Sequence, residues 1–167
     1  MHIIEPDAPT DFWQRTHYGF RADNGDFRYT AISGPFQMSV AVSMSPRHQY
    51  DQAGLMVRIS PECWLKTSME FEPGTQNRLG AVVTNAGYSD WSTQDVPSDL
   101  TEFRLRVTRD GSDYLVEADR GEGWTQIRLA HLHEDTGSVP VQCGIYACCP
   151  KERGLVARFR EFLLEKR

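Results

Sequence analysis

The sequence predicts an all-β fold in which two antiparallel sheets pack as a sandwich, and three observations support this fold class. Apolar and polar residues alternate with a period of two over much of the chain, as in strands that bury one face. Long amphipathic runs rich in Ala, Leu and Glu, which would indicate helices, are absent. Gly, Pro, Asn and Asp separate the alternating segments at short intervals, which suits a sandwich better than alternating strands and helices.

The clearest strand is predicted at 36–44. Its apolar residues share one face and are Phe36, Met38, Val40, Val42 and Met44. Residues 52–59 and 64–71 alternate in the same way on either side of the turn at 60–62, so we predict that they form a hairpin. A second hairpin is predicted from 101–107 and 113–119, joined by the Asp110-Gly111 turn.

Shorter strands are predicted at 25–32, 78–84, 123–129 and 142–147. The last apolar segment, 155–164, is ambiguous, because its apolar residues also satisfy the spacing of a helical stripe. Three aromatic residues are expected to be buried in the core: Trp13, Trp124 and Tyr146.

Length and charge restrict the class of protein. The chain has 167 residues, enough for one domain with a sizeable core, and a formal net charge of -5, which argues against a nucleic-acid partner. No stretch approaches the roughly 18 apolar residues that a membrane span requires. The N-terminus lacks the basic and apolar regions of a secretory signal. We therefore expect a cytoplasmic protein that binds neither nucleic acid nor membrane.

The cysteines and histidines give no sign of a metal site. Cysteines 63, 143, 148 and 149 form no pair of Cys-x-x-Cys motifs, so we expect free, mostly buried thiols. His131 and His133 have no recognised zinc spacing to them. The segment 23–26 (DNGD) lacks the bidentate Glu of a calcium loop, and its Asn-Gly pair favours a hairpin turn. No metal or other cofactor is expected.

Six strings in the chain, taken in order, resemble one known family. They are 11–20 (DFWQRTHYGF), 50–58 (YDQAGLMVR), 64–66 (WLK) with Glu70, 82–84 (VVT), 89–92 (SDWS) and 144–148 (GIYAC) followed by Pro150. Together they are similar to the DUF1349 family, also called regulation of enolase protein 1-like, over nearly the whole chain.

The resemblance implies a concanavalin A-like lectin/glucanase fold, a jelly-roll sandwich of two curved antiparallel sheets. It implies one such domain over residues 1–167, with a core from about 11 to 164, and it implies that the last segment is a strand. Ligands of such sandwiches lie across the concave outer face of one sheet. The resemblance implies no described reaction.

Strand alternation predicts which side chains share such an outer face. If Leu55, Val57 and Leu65 point into the core, the intervening residues must point away from it. These residues are Gln52, Met56, Arg58, Trp64, Lys66, Ser68 and Glu70. Planar hydrogen-bonding groups beside an indole suit a sugar, which presents hydroxyls and an apolar ring face. The alternative is a solvated face on which Lys66 and Glu70 only pair with neighbouring charges.

Residue chemistry alone favours the solvated face, but the resemblance to a lectin-like fold favours a binding site, so we expect a carbohydrate or other small polar ligand, without catalysis. Trp91 and Asp90, in the SDWS segment interpreted as a loop, would add a stacking surface and an acceptor. His17 is a secondary candidate with two interpretations, an acid/base group or a loop anchor, and an isolated histidine beside aromatic residues is more often a loop anchor. The candidate ligand-binding residues are His17, Gln52, Arg58, Trp64, Lys66, Glu70, Asp90 and Trp91.

Two other functions stay open. A glycoside hydrolase or lyase would use Glu70 with Glu72 or Asp90, and two positions along a strand place Cα atoms about 6.6 Å apart, which is compatible with a catalytic carboxyl pair. A regulatory protein-interaction domain is the other alternative. Self-association through an exposed sheet edge is also compatible with the predicted fold, so the chain is a possible homo-oligomer.

Overall fold

The computed structural model describes all residues, 1–167, and consists of fourteen strands without a helix. The strands are β1 (His2–Ile4), β2 (Phe12–Gln14), β3 (Arg21–Asp23), β4 (Asp26–Ile32), β5 (Phe36–Ser45), β6 (Gln52–Ser60), β7 (Cys63–Glu70), β8 (Asn77–Asn85), β9 (Tyr88–Val96), β10 (Glu102–Asp110), β11 (Asp113–Asp119), β12 (Thr125–His131), β13 (Val141–Cys148) and β14 (Val156–Lys166). No helix has the length and apolar character needed to cross a membrane.

Twelve strands form two six-stranded sheets in which every pairing is antiparallel. The first sheet has the order β1-β14-β5-β10-β11-β12, and the second has the order β4-β13-β6-β7-β8-β9. The remaining strands, β2 and β3, pair only with each other. The predicted all-β sandwich is confirmed, and so are the hairpins β6–β7 and β10–β11.

The main core lies between the two sheets and contains alternate residues of the central strands. In β5 the buried side chains are those of the predicted face, from Phe36 to Met44. In the second sheet Leu55, Val57 and Leu65 point into the same core, as predicted. Since successive side chains alternate, the residues between them lie on the outer face of the second sheet.

The last segment is a strand, as the family resemblance implies, and its irregularity explains the helix-like spacing. The register of β14 against β5 shifts between Arg160 and Leu163, where Glu161 has φ of 52°. Phe159 is buried before the shift, and Phe162 and Leu164 pack against the core after it. A bulge moves the inward face by one position, so the apolar residues lose strict alternation.

Several local predictions need correction. The SDWS segment is part of strand β9 and not a loop. The core begins before residue 11, because β1 pairs with β14 and Ile4 is fully buried. Trp124 lies outside the core and packs against Arg106, whose guanidinium carbon is 4.2 Å from the ring centroid. Asn24-Gly25 closes no hairpin, since β3 and β4 pair with different strands.

Candidate functional site

The β2–β3 hairpin covers part of the outer face of the second sheet. Side chains from the hairpin and the sheet form a second apolar cluster, separate from the main core: Phe12, Trp13, Met56, Trp64, Val82, Tyr146 and Cys148. Within it the Phe12 ring meets the Trp64 and Tyr146 rings edge-on, each with centroids 6.2 Å apart. The outer face is therefore neither a solvated surface nor a fully open groove.

Trp64 does not take the stacking role expected for it. Its side chain is fully buried beneath the hairpin, and its indole Nε1 donates a hydrogen bond to the carbonyl oxygen of Pro61 at 3.1 Å. A ring without accessible surface offers no face to a ligand. Trp64 instead supports the hairpin from below.

Arg58 binds the β2–β3 hairpin and does not line a ligand site. Its guanidinium donates hydrogen bonds to both carboxylate oxygens of Asp23 on β3, with 2.7 Å between Nη2 and Oδ2. The guanidinium carbon also lies 5.8 Å from the centroid of the Phe12 ring. Planar guanidinium and carboxylate groups bind each other with defined geometry, so this pair fixes the position of β3. Arg58 does not line the groove described next.

A groove of about 740 Å³ remains open beside the hairpin, and we call it the Glu70 groove. Four of the predicted residues line it: Gln52, Lys66, Glu70 and Trp91. Strands β6 and β7 place Gln52 directly opposite Glu70, which explains why these two side chains meet. Lys66 and Trp91 belong to β7 and β9, each paired with Val82 of β8.

Lys66 is the centre of a buried hydrogen-bond network. Its Nζ donates to Gln52 Oε1 at 2.8 Å and to Asp11 Oδ1 at 3.1 Å, and Tyr146 donates to the same Gln52 oxygen at 3.1 Å. Burial is the largest single influence on the pKa of Lys66 and lowers it, but the surrounding acidic groups, Asp11 first among them, together outweigh burial and raise the pKa above its usual value. Lys66 is therefore a paired cation within the wall of the groove.

Glu70 lines the same groove without a partner. It is only 8% exposed, and its carboxyl makes neither a hydrogen bond nor an ion pair with another side chain. Burial raises its pKa from 4.5 to about 8, opposed in part by the positive charge of Lys66. This raised pKa favours the protonated carboxyl at neutral pH, and in that form Glu70 presents both a hydrogen-bond donor and an acceptor to the groove.

The carboxyl pairs of the hydrolase alternative are not assembled in this groove. Glu72 lies beyond the end of β7 and accepts a hydrogen bond from Gln49 Nε2 at 2.9 Å, outside the groove. Asp90 accepts one from Arg128 Nη2 at 3.0 Å and lines a neighbouring groove. The carboxylates that do share the Glu70 groove are Asp11, which is bound to Lys66, and Asp23, which is bound to Arg58.

Comparison with known proteins identifies the family. A model of the family described as "Protein of unknown function (DUF1349)" matches residues 2–167. The chain belongs to the DUF1349 family. Over 162 residues it is 36% identical to Regulation of enolase protein 1 of Saccharomyces cerevisiae, a match that covers 96% of this chain and 79% of the yeast protein.

Two solved structures resemble the DUF1349 chain in fold. The crystal structure of a functionally unknown protein from Saccharomyces cerevisiae matches with a TM-score of 0.89 at 35% identity, over 99% of this chain and 87% of that one. A Bacteroides ovatus protein, xyloglucan PUL GH43B, matches with a TM-score of 0.69 at 19% identity, over 97% of this chain and 32% of that one. The second likeness concerns the fold alone.

The other two predicted residues, His17 and Asp90, lie outside the Glu70 groove of this DUF1349 protein. His17 is exposed, has a φ of 61° and lies beside Tyr18, with ring centroids 4.8 Å apart. Both His17 and Asp90 line the neighbouring groove. The eight candidates thus divide into four that line the Glu70 groove, two beside it, and two that hold the hairpin.

Several residues that line the Glu70 groove were not predicted from the sequence as site residues. They include Asp11, Tyr18, Phe20, Asn24, Tyr50 and Lys151. All of them lie between strands, where alternation gives no information about side-chain direction. Tyr50 has a φ of 72°, which is rare for a residue with a side chain and often marks a functional site.

No group of three or more His, Cys, Asp or Glu side chains is arranged to hold a metal ion.

Proposed function

We propose that this protein binds an uncharged carbohydrate in the Glu70 groove and does not alter it chemically. The observation that carries the proposal is Glu70, a carboxyl more than nine-tenths buried that lines the groove without any partner in the protein. Its oxygens are not among the fully buried polar atoms, so they stay accessible from the groove, and hydroxyl groups of a ligand can form the hydrogen bonds that the protein does not supply.

The composition of the groove supports a sugar. The amide of Gln52 and the carboxyl of Glu70 offer planar hydrogen-bonding groups. Trp91, Tyr18 and Phe20 add aromatic surface, and the last two are 53% and 45% exposed. Aromatic faces of this kind pack against the apolar face of a sugar ring.

Charge supports a neutral ligand over a phosphorylated one. Lys66 is the buried cation of the groove, but Asp11 and Gln52 already accept hydrogen bonds from its ammonium. Because Asp11 balances this charge, the buried cation has little attraction for an anion. Arg21 also lines the groove but pairs with Glu62, whereas Lys151 has no carboxylate partner and lies 5.5 Å from the centroid of the Tyr50 ring. The preference for a neutral ligand therefore rests on the buried pair of Lys66 and Asp11.

The similarity to a GH43 protein described with xyloglucan supports a link to carbohydrate, although this likeness extends only to the fold. We place the function in the cytoplasm, since all four cysteines are free and buried. It requires neither nucleic acid nor membrane as a partner, in keeping with a net charge of -5.

Calorimetric titration with neutral xylo-, cello- and laminari-oligosaccharides tests the proposal. We expect binding by the native protein and at least a tenfold loss of affinity in Glu70→Ala. The matched control is Glu72→Ala, which removes a carboxyl outside the groove and should leave affinity within about twofold. Equal loss in both variants, or no binding of any sugar, would contradict the proposal.

A second pair of variants tests the stacking surface. Trp91→Ala removes an indole that lines the Glu70 groove, and Trp124→Ala removes a partly exposed indole that packs on Arg106 of the first sheet. Since aromatic stacking depends on ring surface, we expect Trp91→Ala to weaken sugar binding and Trp124→Ala to have no effect.

A regulatory interaction with another protein is the second candidate function. It is favoured by the 36% identity to Regulation of enolase protein 1. If the sugar panel shows no binding while the native protein co-purifies with a metabolic enzyme such as enolase, the regulatory function replaces the proposed one. Sugar binding that depends on Glu70 would support the ligand-binding function instead.

A further inference from the structure

A second groove lies next to the Glu70 groove and shares a wall with it. It has a volume of about 890 Å³, and we call it the Arg128 groove. Trp13, Tyr18 and Trp91 line both grooves. The two volumes are therefore neighbours across one aromatic ridge, and a single ligand that crosses the ridge would contact both.

The far side of the Arg128 groove is polar and comes from the first sheet. Arg128 of β12 donates from Nη2 to Asp90 of β9 at 3.0 Å, and only 19% of the arginine side chain is exposed. His131, also on β12, lies 2.7 Å from Asp113. A guanidinium with five N–H donors keeps free donors after one such bond. Hydroxyl groups of a ligand suit these donors and the neighbouring carboxylate.

We propose that the ligand is a linear neutral oligosaccharide that extends from the Glu70 groove across Trp91 into the Arg128 groove. This inference rests on the proposed function and specifies its ligand class. One end unit contacts Glu70 and Gln52, a central unit packs on the shared aromatic ridge, and later units contact Arg128 and Asp90.

The dimensions favour such a chain over a single sugar. Small-molecule sites commonly have volumes of about 300–1,000 Å³, and each of the two grooves falls in that range by itself. A monosaccharide in the Glu70 groove would leave the second aromatic and polar surface without a role. The lining of the second groove also includes two exposed residues: Tyr88 is 61% exposed and Leu129 is 66% exposed. A chain can therefore continue outward from it.

The test is a chain-length series by calorimetry, with xylo-, cello- and laminari-oligosaccharides of one to six units. We expect affinity in at least one series to rise at least tenfold between one unit and four units, and to level off after that. Arg128→Gln should remove most of the rise while leaving monosaccharide affinity unchanged. Glu70→Ala should weaken every length.

A second variant and a control guard against effects of misfolding. His131→Ala changes an exposed side chain of the same groove and should also flatten the length dependence. Arg160→Ala removes an exposed arginine that pairs with Glu102 on the first sheet, and should leave the series unchanged. Circular dichroism and the urea midpoint of each variant establish that it is folded.

The outcomes separate this inference from the proposed function. Sugar binding that depends on Glu70 but has equal strength at all lengths would overturn the extended ligand and retain the proposed function. A length dependence unaffected by Arg128→Gln and His131→Ala would overturn the path across Trp91. Absence of binding at every length would overturn both.

Discussion

Arg58 of β6 and Asp23 of β3 form a two-bond ion pair that attaches the β2–β3 hairpin to the outer face of the second sheet. The arginine side chain is 15% exposed and the aspartate side chain 35% exposed, so the pair is partly shielded from water. Asp23 lines the Glu70 groove and Arg58 does not. The pair therefore gives Arg58 a positioning role, because it sets where one wall of the groove lies.

Arg58→Ala should loosen the hairpin without unfolding the sandwich. Strands β2 and β3 pair only with each other, so side-chain contacts hold the hairpin on the sheet. Loss of this ion pair leaves the apolar contacts of Phe12 and Trp13 and the hydrogen bonds of Gln14 with Ser89 and with the carbonyl oxygen of Pro61. We expect faster amide hydrogen exchange at residues 12–14 and 21–23, and a loss of about 1–2 kcal/mol in the free energy of unfolding. Hydrogen-exchange mass spectrometry measures the first effect and urea denaturation the second.

Two further variants define the cause of that loosening. Arg58→Lys keeps the charge but lacks the planar two-bond geometry, so it should restore only part of the protection. Arg160→Ala breaks an exposed pair with Glu102 and should change neither quantity beyond about 0.5 kcal/mol. Unchanged exchange at 12–14 and 21–23 in Arg58→Ala would show that the pair does not hold the hairpin.

Glu70 should make the folded protein less stable as pH rises. Burial raises the Glu70 pKa from 4.5 to about 8, with further raising by Asp11 and Glu72 and opposition from Lys66 and Arg78. Between these two values the folded state holds a proton that the unfolded state has released, so the free energy of unfolding falls as pH rises. We expect a decrease of roughly 2–4 kcal/mol from pH 5 to pH 8.

Glu70→Gln isolates this effect because it keeps the shape of the side chain and removes the titration. Urea unfolding at each half pH unit should show a flatter profile from pH 5 to pH 8 in the variant than in the native protein. Glu122→Gln, in the exposed loop after β11, serves as the control and should reproduce the native profile. Parallel profiles for Glu70→Gln and the native protein would contradict a raised pKa.

The same proton should control ligand affinity. A protonated Glu70 donates a hydrogen bond to a sugar oxygen, whereas an ionised one can only accept. Affinity for a neutral oligosaccharide is therefore expected to decline as pH rises through about 8, the raised pKa of Glu70. Calorimetric titrations at pH 6.5 and pH 9 measure the change, and in Glu70→Gln the affinities at the two pH values should agree.

Alternation in the sequence was informative wherever a strand buries one face. It located β5 and the β6–β7 hairpin, whose inward residues belong to the main core. It missed β9, because this strand lies at a sheet edge and most of its side chains are partly or fully exposed. Strands β2 and β3 have three residues each, too few for a periodic pattern.

Alternation also placed the candidate residues on the correct face but could not show what covers that face. Gln52, Lys66 and Glu70 lie together as predicted, whereas Met56 and Trp64 on the same face are buried under the hairpin. The hairpin comes from a segment distant in sequence, and its placement depends on tertiary contacts such as Arg58 with Asp23. The alternation of apolar and polar residues along one strand contains no information about such contacts.

Arg109 and Asp135 form a second ion pair, in which both side chains are fully buried. Arg109 Nε donates to Asp135 Oδ2 at 2.9 Å, and its Nη1 donates to the carbonyl oxygen of Gly34 at 2.9 Å. Tyr114 also donates to Asp135. These bonds connect β10 and β11 to the segment between β12 and β13. The pair lies outside both grooves, so its role is structural.

Asp135→Ala should therefore be far more destabilising than removal of a surface acid. It leaves the Arg109 charge buried without its counter-ion, which typically costs about 3–5 kcal/mol. Asp95→Ala, which removes the partner of Arg78 in a largely exposed pair, should cost less than about 1 kcal/mol. Urea denaturation of both variants gives the comparison.

In the double variant Arg109→Met with Asp135→Leu, no unpaired charge remains, so we expect a smaller loss in the free energy of unfolding than in Asp135→Ala alone. A double variant as unstable as the single one would show that geometry at this position, and not the unpaired charge, determines the cost.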